Sequence, residues 1–463
     1  MTQRIHFADP ADALPLHVVT PDALPVWLEM QPHGWQSWLT ATGFEAALGD
    51  VRLIPGADGH PVAAVAGLGS DTARRRTRFG LAKAAAALPG RAWQLHGDLS
   101  PQQKDEAALA FLLAGYRFDR YRPGKSTAVP ARVVCPEGSD PKRLLAIAEA
   151  EFLTRDLINT PAADMGPDAL EVAFLALADH FSAEAQVIRG DDLLSHNFPM
   201  IHAVGRAAAR APRLMEFRWG TTGPALTLVG KGVCFDSGGL NIKPTSGMNL
   251  MKKDMGGAAT VMGLAHMIMA LDLPLRLRVI VPAVENAIAG NALRPKDILT
   301  SRKGLTVEVN DTDAEGRLIL ADALALATED PCDLLISMAT LTGAARVAVG
   351  PDLAPFYTDD DAVAQALTQG AKTGFDPVWR MPFHDPYDAV IEPGIADLDN
   401  SPGFGFAGSV TAALFLRRFV GQARYLHFDI YGHSPSDAPA RPKGGVGQGA
   451  RAVLNALPAM LGL

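Results

Sequence analysis

Apolar and polar positions alternate along this chain in two rhythms, one of short buried runs and one of helical stripes. In the first part, apolar runs at Val62–Leu68 and Ala131–Cys135 interleave with helical patterns at Phe79–Leu88 and Pro101–Gly115, which predicts a modest α/β domain. Pro136-Glu-Gly-Ser-Asp-Pro141 is a turn-rich break. A helical stretch follows from Lys142 to Leu157 and stops at Asn159-Thr-Pro-Ala, as expected of a helix linking two domains. Beyond it, strands are expected at Leu226–Val229, Leu275–Val281, Leu305–Val309 and Leu334–Met338, alternating with helices near Ala258–Ala270 and Glu315–Glu329. That is the βαβ signature of a mostly parallel sheet covered by helices. The expected fold class is α/β: a small N-terminal α/β domain over residues 1–138, a linker helix over 139–160, and a larger C-terminal domain over 161–463 with a mostly parallel central sheet flanked by helices. No internal repeat or extended low-complexity tract interrupts this order.

At 463 residues, 48% of them apolar, the chain is long enough to bury two substantial cores. A net charge of −8 argues against general nucleic-acid binding, which needs clustered Lys and Arg to neutralise phosphates. The one dense basic run, Arg74 to Arg76 with Arg78 close behind, reads as a solvated helix face. Cys135, Cys234 and Cys332 are too far apart for a metal pair or a disulfide framework, so a reducing compartment is expected. Asp9 and Asp12 stand where a targeting segment would carry basic residues, and no apolar run reaches the length of a membrane span. The expectation is a soluble, cytoplasmic protein with no membrane partner.

Two charged segments change the picture. Asp311, Asp313, Glu315 and Arg317 crowd into the turn between the apolar run Leu305–Val309 and an apolar helix. The edge where strands feed helices is where α/β sheets usually place chemistry. Asp313 and Glu315 can converge on one cation, while Arg317 offers a planar charge for a carboxylate-like anion. The bland alternative is a helix N-terminus decorated with acids to suit its dipole. The second segment runs from Lys231 through Asp236 and Lys243 to Asp254, also between an apolar strand and an apolar helix. If the two loops face each other, Asp236, Asp254, Asp313 and Glu315 meet, and a pair of divalent ions would resolve their repulsion. An ion-pair network without catalytic use is the competing reading.

Other motifs fail. Gly124-Lys125-Ser126 ends like a phosphate loop, but Asp119 stands where a glycine is required and Pro123 stiffens the loop. No H-E-x-x-H occurs, and His196/His202 and His427/His433 are the only close histidine pairs of the second domain, which suits packing better than zinc binding. No G-x-S-x-G elbow offers a serine nucleophile.

Asp-Thr-Asp-Ala-Glu-Gly-Arg-Leu (311–318) together with Val-Gly-Lys-Gly-Val-Cys-Phe-Asp-Ser-Gly-Gly (229–239) resembles the leucyl aminopeptidase family of cytosolic dinuclear metallopeptidases. Ile158–Ala162, Met251–Gly257, Ala339–Ala344 and Ala407–Ala413 add blocks in the family's order. The first domain resembles the family only in position and general character. The resemblance implies two divalent ions per subunit, Mn or Zn, held by Lys231, Asp236, Asp254, Asp313 and Glu315, with Asp236 and Glu315 bridging. Lys231 would have to bind as a neutral amine, having lost its proton to the pull of the ions. Lys243 and Arg317 become the catalytic pair: Lys243 steadies the oxygen that gains charge, and Arg317 holds a bicarbonate acting as general base. The Leu341 carbonyl is expected to accept a hydrogen bond from the substrate, and Met251, Thr340 and Gly343 to line the pocket for an apolar N-terminal side chain.

The implied activity is release of N-terminal residues from short peptides, with a hydroxide shared by the two ions as nucleophile. The implied assembly is a homohexamer. One departure stands out: the family usually has Asn where this chain has Asp311, an added carboxylate that could tighten the site, favour harder ions, or be neutralised by a proton or a lysine. The rival readings are another di-metal hydrolase, such as a phosphoesterase, which should lack the run of blocks, and an added DNA-binding or scaffolding role, which the acidic charge opposes.

Overall fold

The computed structural model describes residues 5–122 and 129–463, so the Gly124-Lys125-Ser126 motif lies outside the described residues. The chain divides into two compact units: residues 1–152 with Ser436–Lys443, and Leu153–Pro435 with Gly444–Leu463. The division falls inside a single helix, Pro141–Asn159.

The first unit is built on a five-stranded sheet in the order Val51–Pro55, Pro61–Gly67, Leu14–Val19, Ala92–His96, Arg132–Val133. Only the first of these pairings is antiparallel. Alternation along Pro61–Gly67 decides its two faces. Ala64 and Ala66 join a core with Leu16, Trp93 and Phe111, while Ala63 and Val65 join another with Val19, Leu39 and Phe44. The helix Pro101–Ala114 starts at a capping box in which Ser100 and Gln103 each satisfy the other's backbone N–H.

The second unit holds a nine-stranded mixed sheet. Its middle strands, Tyr425–Asp429, Leu334–Ala339, Ala225–Gly230 and Arg276–Asn286, are mutually parallel neighbours, and Gly232–Asp236 also pairs parallel to Arg276–Asn286. Antiparallel pairings lie to either side of this parallel group. Ala225–Gly230, Leu334–Ala339 and Tyr425–Asp429 are buried throughout their length, and the first two read as near-continuous apolar runs for that reason. The helix Gly256–Ala270 is almost wholly buried over them.

The run expected as a sheet strand at 305–309 is different. Thr306–Glu308 is a short strand outside the main sheet, antiparallel to Ile298–Thr300 and parallel to Leu398–Asp399. Val307 and Val309 still enter the large core, so the apolar run is buried without joining the main ladder. From this small sheet the chain turns through 309–315 into the helix Gly316–Ala327.

Candidate active site

Parallel strands deliver their following residues to one edge. Ala225–Gly230 ends at Lys231, Leu334–Ala339 at Thr340-Leu341-Thr342-Gly343, and Tyr425–Asp429 at Ile430-Tyr431. This carboxyl edge is where open α/β sheets bind ligands. A cavity of about 490 Å³ lies there, lined by Lys231, Asp236, Lys243, Met251, Asp254, Asp313, Thr340, Leu341 and Gly343, together with Lys253, Arg346 and Tyr431. All the site residues expected from sequence are therefore in its wall except Glu315 and Arg317, which are buried at the start of the adjoining helix.

The two charged segments do face each other. Oxygens of Asp236, Asp313 and Glu315 lie within 4.8 Å of one another. Lys231 Nζ sits 2.7 Å from Asp254 Oδ2 and 3.1 Å from Glu315 Oε1, and also donates to the Thr340 carbonyl at 3.0 Å. Lys243 Nζ is 2.8 Å from Asp236 Oδ2 and 2.5 Å from Asp313 Oδ1. Small residues make this packing possible. A Cβ on Gly316 would fall 2.4 Å from Lys231 Cε, so only glycine lets the lysine stem pass the helix start. Gly239, at φ +62, turns the 236–243 loop back so that Asn241 N–H can reach Thr312 Oγ1.

Burial strains the charges here. Desolvation together with Asp236 pushes Asp313 up to about 7, and the same causes raise Glu315 well above the ordinary carboxylate range. Burial opposes the charge on Lys231, yet Asp254, Glu315 and Asp236 outweigh it and hold the proton more tightly than usual. Lys243 behaves likewise through Asp236 and Asp313. Among the described residues, no donor is aligned with either Glu315 oxygen or with Asp313 Oδ1. Buried carboxylates held only by lysine contacts of this kind are costly, and hard or borderline cations are the partners that oxygens and an amine in this cluster fit. A neutral Lys231 would need such cations to take over its neutralising role. Arg317 is buried, and among the described residues its Nε has no hydrogen-bond partner.

The chain matches the cytosol aminopeptidase family catalytic domain over residues 152–454 and the M17 aminopeptidase N-terminal domain over 14–136. It belongs to the cytosol aminopeptidase family. A probable cytosol aminopeptidase of Leifsonia xyli subsp. xyli is 36% identical over 91% of this chain and 88% of its own. One from Syntrophotalea carbinolica is 39% identical over 75% of this chain and 73% of its own. Among solved structures, the cytosol aminopeptidase from Coxiella burnetii superposes with a TM-score of 0.92 at 43% identity, covering 97% of this chain and 98% of that one. The bottromycin maturation enzyme BotP, solved in complex with Mn, gives 0.87 at 31% identity over 97% and 99%. The family assignment carries aminopeptidase activity and the two-domain α/β fold with it.

Several further residues of the site carried no distinctive signal in the sequence. Asp429, fully buried, accepts from Leu341 N–H at 3.1 Å, Thr342 N–H at 3.0 Å, Thr342 Oγ1 at 2.6 Å and Ser409 Oγ at 2.7 Å, and so holds the 340–343 turn. Asn286 donates to Asp236 Oδ1 at 2.9 Å and to the Thr312 carbonyl at 3.0 Å, tying the two charged loops together. Lys253, Arg346 and Tyr431 also line the cavity. The only signal for Asp429 was its place at the end of a strand. Asp311 turns out to accept the Asp313 N–H at 2.8 Å, an Asx-type turn that aims Asp313 into the site.

Proposed function

We propose that this aminopeptidase is metal-dependent and dinuclear, with Lys231, Asp236, Asp254, Asp313 and Glu315 as ligands and Asp236 and Glu315 shared between two ions. The observation that carries the reading is Glu315: a 1% exposed carboxylate with no aligned donor, gathered with Asp236 and Asp313. When bound, two divalent ions, Mn or Zn, would supply an activated water and Lewis acidity at the scissile carbonyl. Lys243, in the cavity wall with its charge held by Asp236 and Asp313, is positioned to stabilise the oxygen that becomes negative on attack. Arg317 presents an unfilled, buried guanidinium edge suited to a planar anion such as bicarbonate, which would accept the proton of the attacking water. The Leu341 carbonyl receives a substrate N–H, and Met251, Thr340 and Gly343 accommodate the aliphatic stem of a leucine-like N-terminal residue of a peptide.

The test compares leucine p-nitroanilide with its N-acetyl derivative, for the native protein and for Glu315→Gln. The native protein should cleave only the free-amine substrate. The variant should lose more than about a hundredfold in kcat/KM, because even groups that only orient metal ligands are worth roughly ten- to a hundredfold. Cleavage of the blocked substrate, or normal turnover by the variant, would overturn the assignment. The family resemblance also supports a homohexamer, which sedimentation would report as six chain masses.

A further inference from the structure

Resting on that reading, the far wall of the same cavity carries chemistry that a leucine pocket does not need. Lys253 follows Met251 and Lys252 in a single 3-10 turn, and it is only 6% exposed although its chain is one of the longest and most strongly hydrated. Its Nζ lies 5.0 Å from the centre of the Tyr431 ring. The Arg346 guanidinium lies 5.0 Å from the same ring, with Nη1 3.4 Å from the phenol oxygen. Arg346 is on the helix Gly343–Val349, one turn beyond Gly343, and Tyr431 follows the strand whose Asp429 holds Leu341. The two cations and the ring thus share a wall with Met251, Thr340 and Gly343.

Among the described residues, no carboxylate comes within ion-pair distance, 4.0 Å, of Lys253 or Arg346. This contrasts with Lys231 and Lys243, each of which has two carboxylates at contact. A cation over an aromatic face gains some stabilisation when desolvated. Burying an ammonium costs more. Lys253 is therefore a buried amine in the wall of a substrate cavity, with Asp254 and Asp429 near enough to act on it but no carboxylate at contact among the described residues.

We propose that Lys253, backed by Arg346 across Tyr431, recognises a carboxylate at the end of the substrate's N-terminal side chain, so that the enzyme releases N-terminal glutamate as well as leucine. Glutamate combines the two demands of the wall: an aliphatic stem for Met251, Thr340 and Gly343, and an anionic tip for Lys253. Aspartate is shorter by one methylene and leaves the tip further from the ammonium.

The experiment measures kcat/KM of the metal-loaded enzyme for α-glutamyl and leucyl p-nitroanilide, in the native protein and in Lys253→Met and Arg346→Gln. The native glutamyl-to-leucyl ratio should be one-third or higher. Lys253→Met should lower that ratio at least tenfold and Arg346→Gln at least threefold. Arg346 is exposed, so its variant and the native ratio decide the matter if Lys253→Met does not fold. A native ratio below one-hundredth, or a ratio unchanged in the folded variants, would overturn the proposal while leaving the peptidase reading intact. A rise in KM for a leucyl dipeptide relative to its C-terminal amide, with the glutamyl ratio unchanged, would also overturn it by assigning Lys253 to the peptide C-terminus. Absence of turnover on every substrate would overturn the peptidase reading, and the proposal with it.

Discussion

Asp311 illustrates what single residues do in this site. Its carboxylate makes the turn bond to Asp313 N–H, which an asparagine oxygen would make equally well. What only the acid adds is negative charge, and it contributes to the upward push on Asp313. Asp311→Asn should keep the fold and the turn but weaken divalent-ion affinity by about 1 kcal/mol, roughly fivefold, as read by calorimetry. His427 supplies a second residue-scale expectation. It is fully buried, shares a 2.8 Å hydrogen bond between Nδ1 and Ser337 Oγ, and burial pushes it down to about 3. A base depressed in the native state binds its proton mainly when unfolded. Its contribution to stability is complete above the unfolded value near 6.5 and is lost as pH falls from there toward 3. Taking the protein from pH 7 to 5 should cost about 2 kcal/mol from this group alone, and His427→Gln should flatten that part of the pH dependence of urea unfolding. The acidic and basic residues of the two charged loops were legible because apolar strands and helices rarely place so many charges between them. Lys253, Tyr431 and Asp429 were not, because each stands where a solvated lysine, a core aromatic or a strand-end acid would look the same.

Elements convert those residues into a site through their ends. Ala225–Gly230, Leu334–Ala339 and part of Arg276–Asn286 were visible as mainly apolar runs, whereas Tyr425–Asp429, interrupted by His427, was not, and the delivery of strand ends to one edge follows from parallel pairing. The run at 305–309 misled, since Val307 and Val309 are buried as a sheet strand's would be, yet the backbone pairs only with two short strands outside the main sheet. In the first unit, Leu14–Val19 and Ala92–His96 gave weak signals because His17, Gln94 and His96 interrupt their apolar pattern. The turn Thr340–Gly343 is the element whose shape decides where the Leu341 carbonyl lies, and Asp429 holds it with four hydrogen bonds. Asp429→Asn keeps the volume but exchanges one acceptor for a donor facing Thr342 and Ser409. Leaving a buried group mismatched costs about 1–3 kcal/mol. The variant should lose about tenfold in kcat/KM on leucine p-nitroanilide, with KM rising, since its effect reaches the substrate through the turn.

For the whole molecule, length and patterning separated two α/β units, and the family match covers both of them. No helix among the described residues is long and apolar enough to cross a membrane. The net charge of −8 disfavours a nucleic-acid role, and an assay for retarded DNA mobility at physiological salt should show no complex. Between the two loops, Asp236, Asp254, Asp313 and Glu315 crowd together with two lysines, Lys231 and Lys243, among them. The most direct test of a two-metal site there strips the protein of metal and titrates Mn²⁺ back while following bound ion and leucine p-nitroanilide hydrolysis in the same samples. The stripped protein should show no activity, and activity should rise and saturate at two ions per chain. Full activity without metal, or saturation with no ion bound, would contradict the two-metal site.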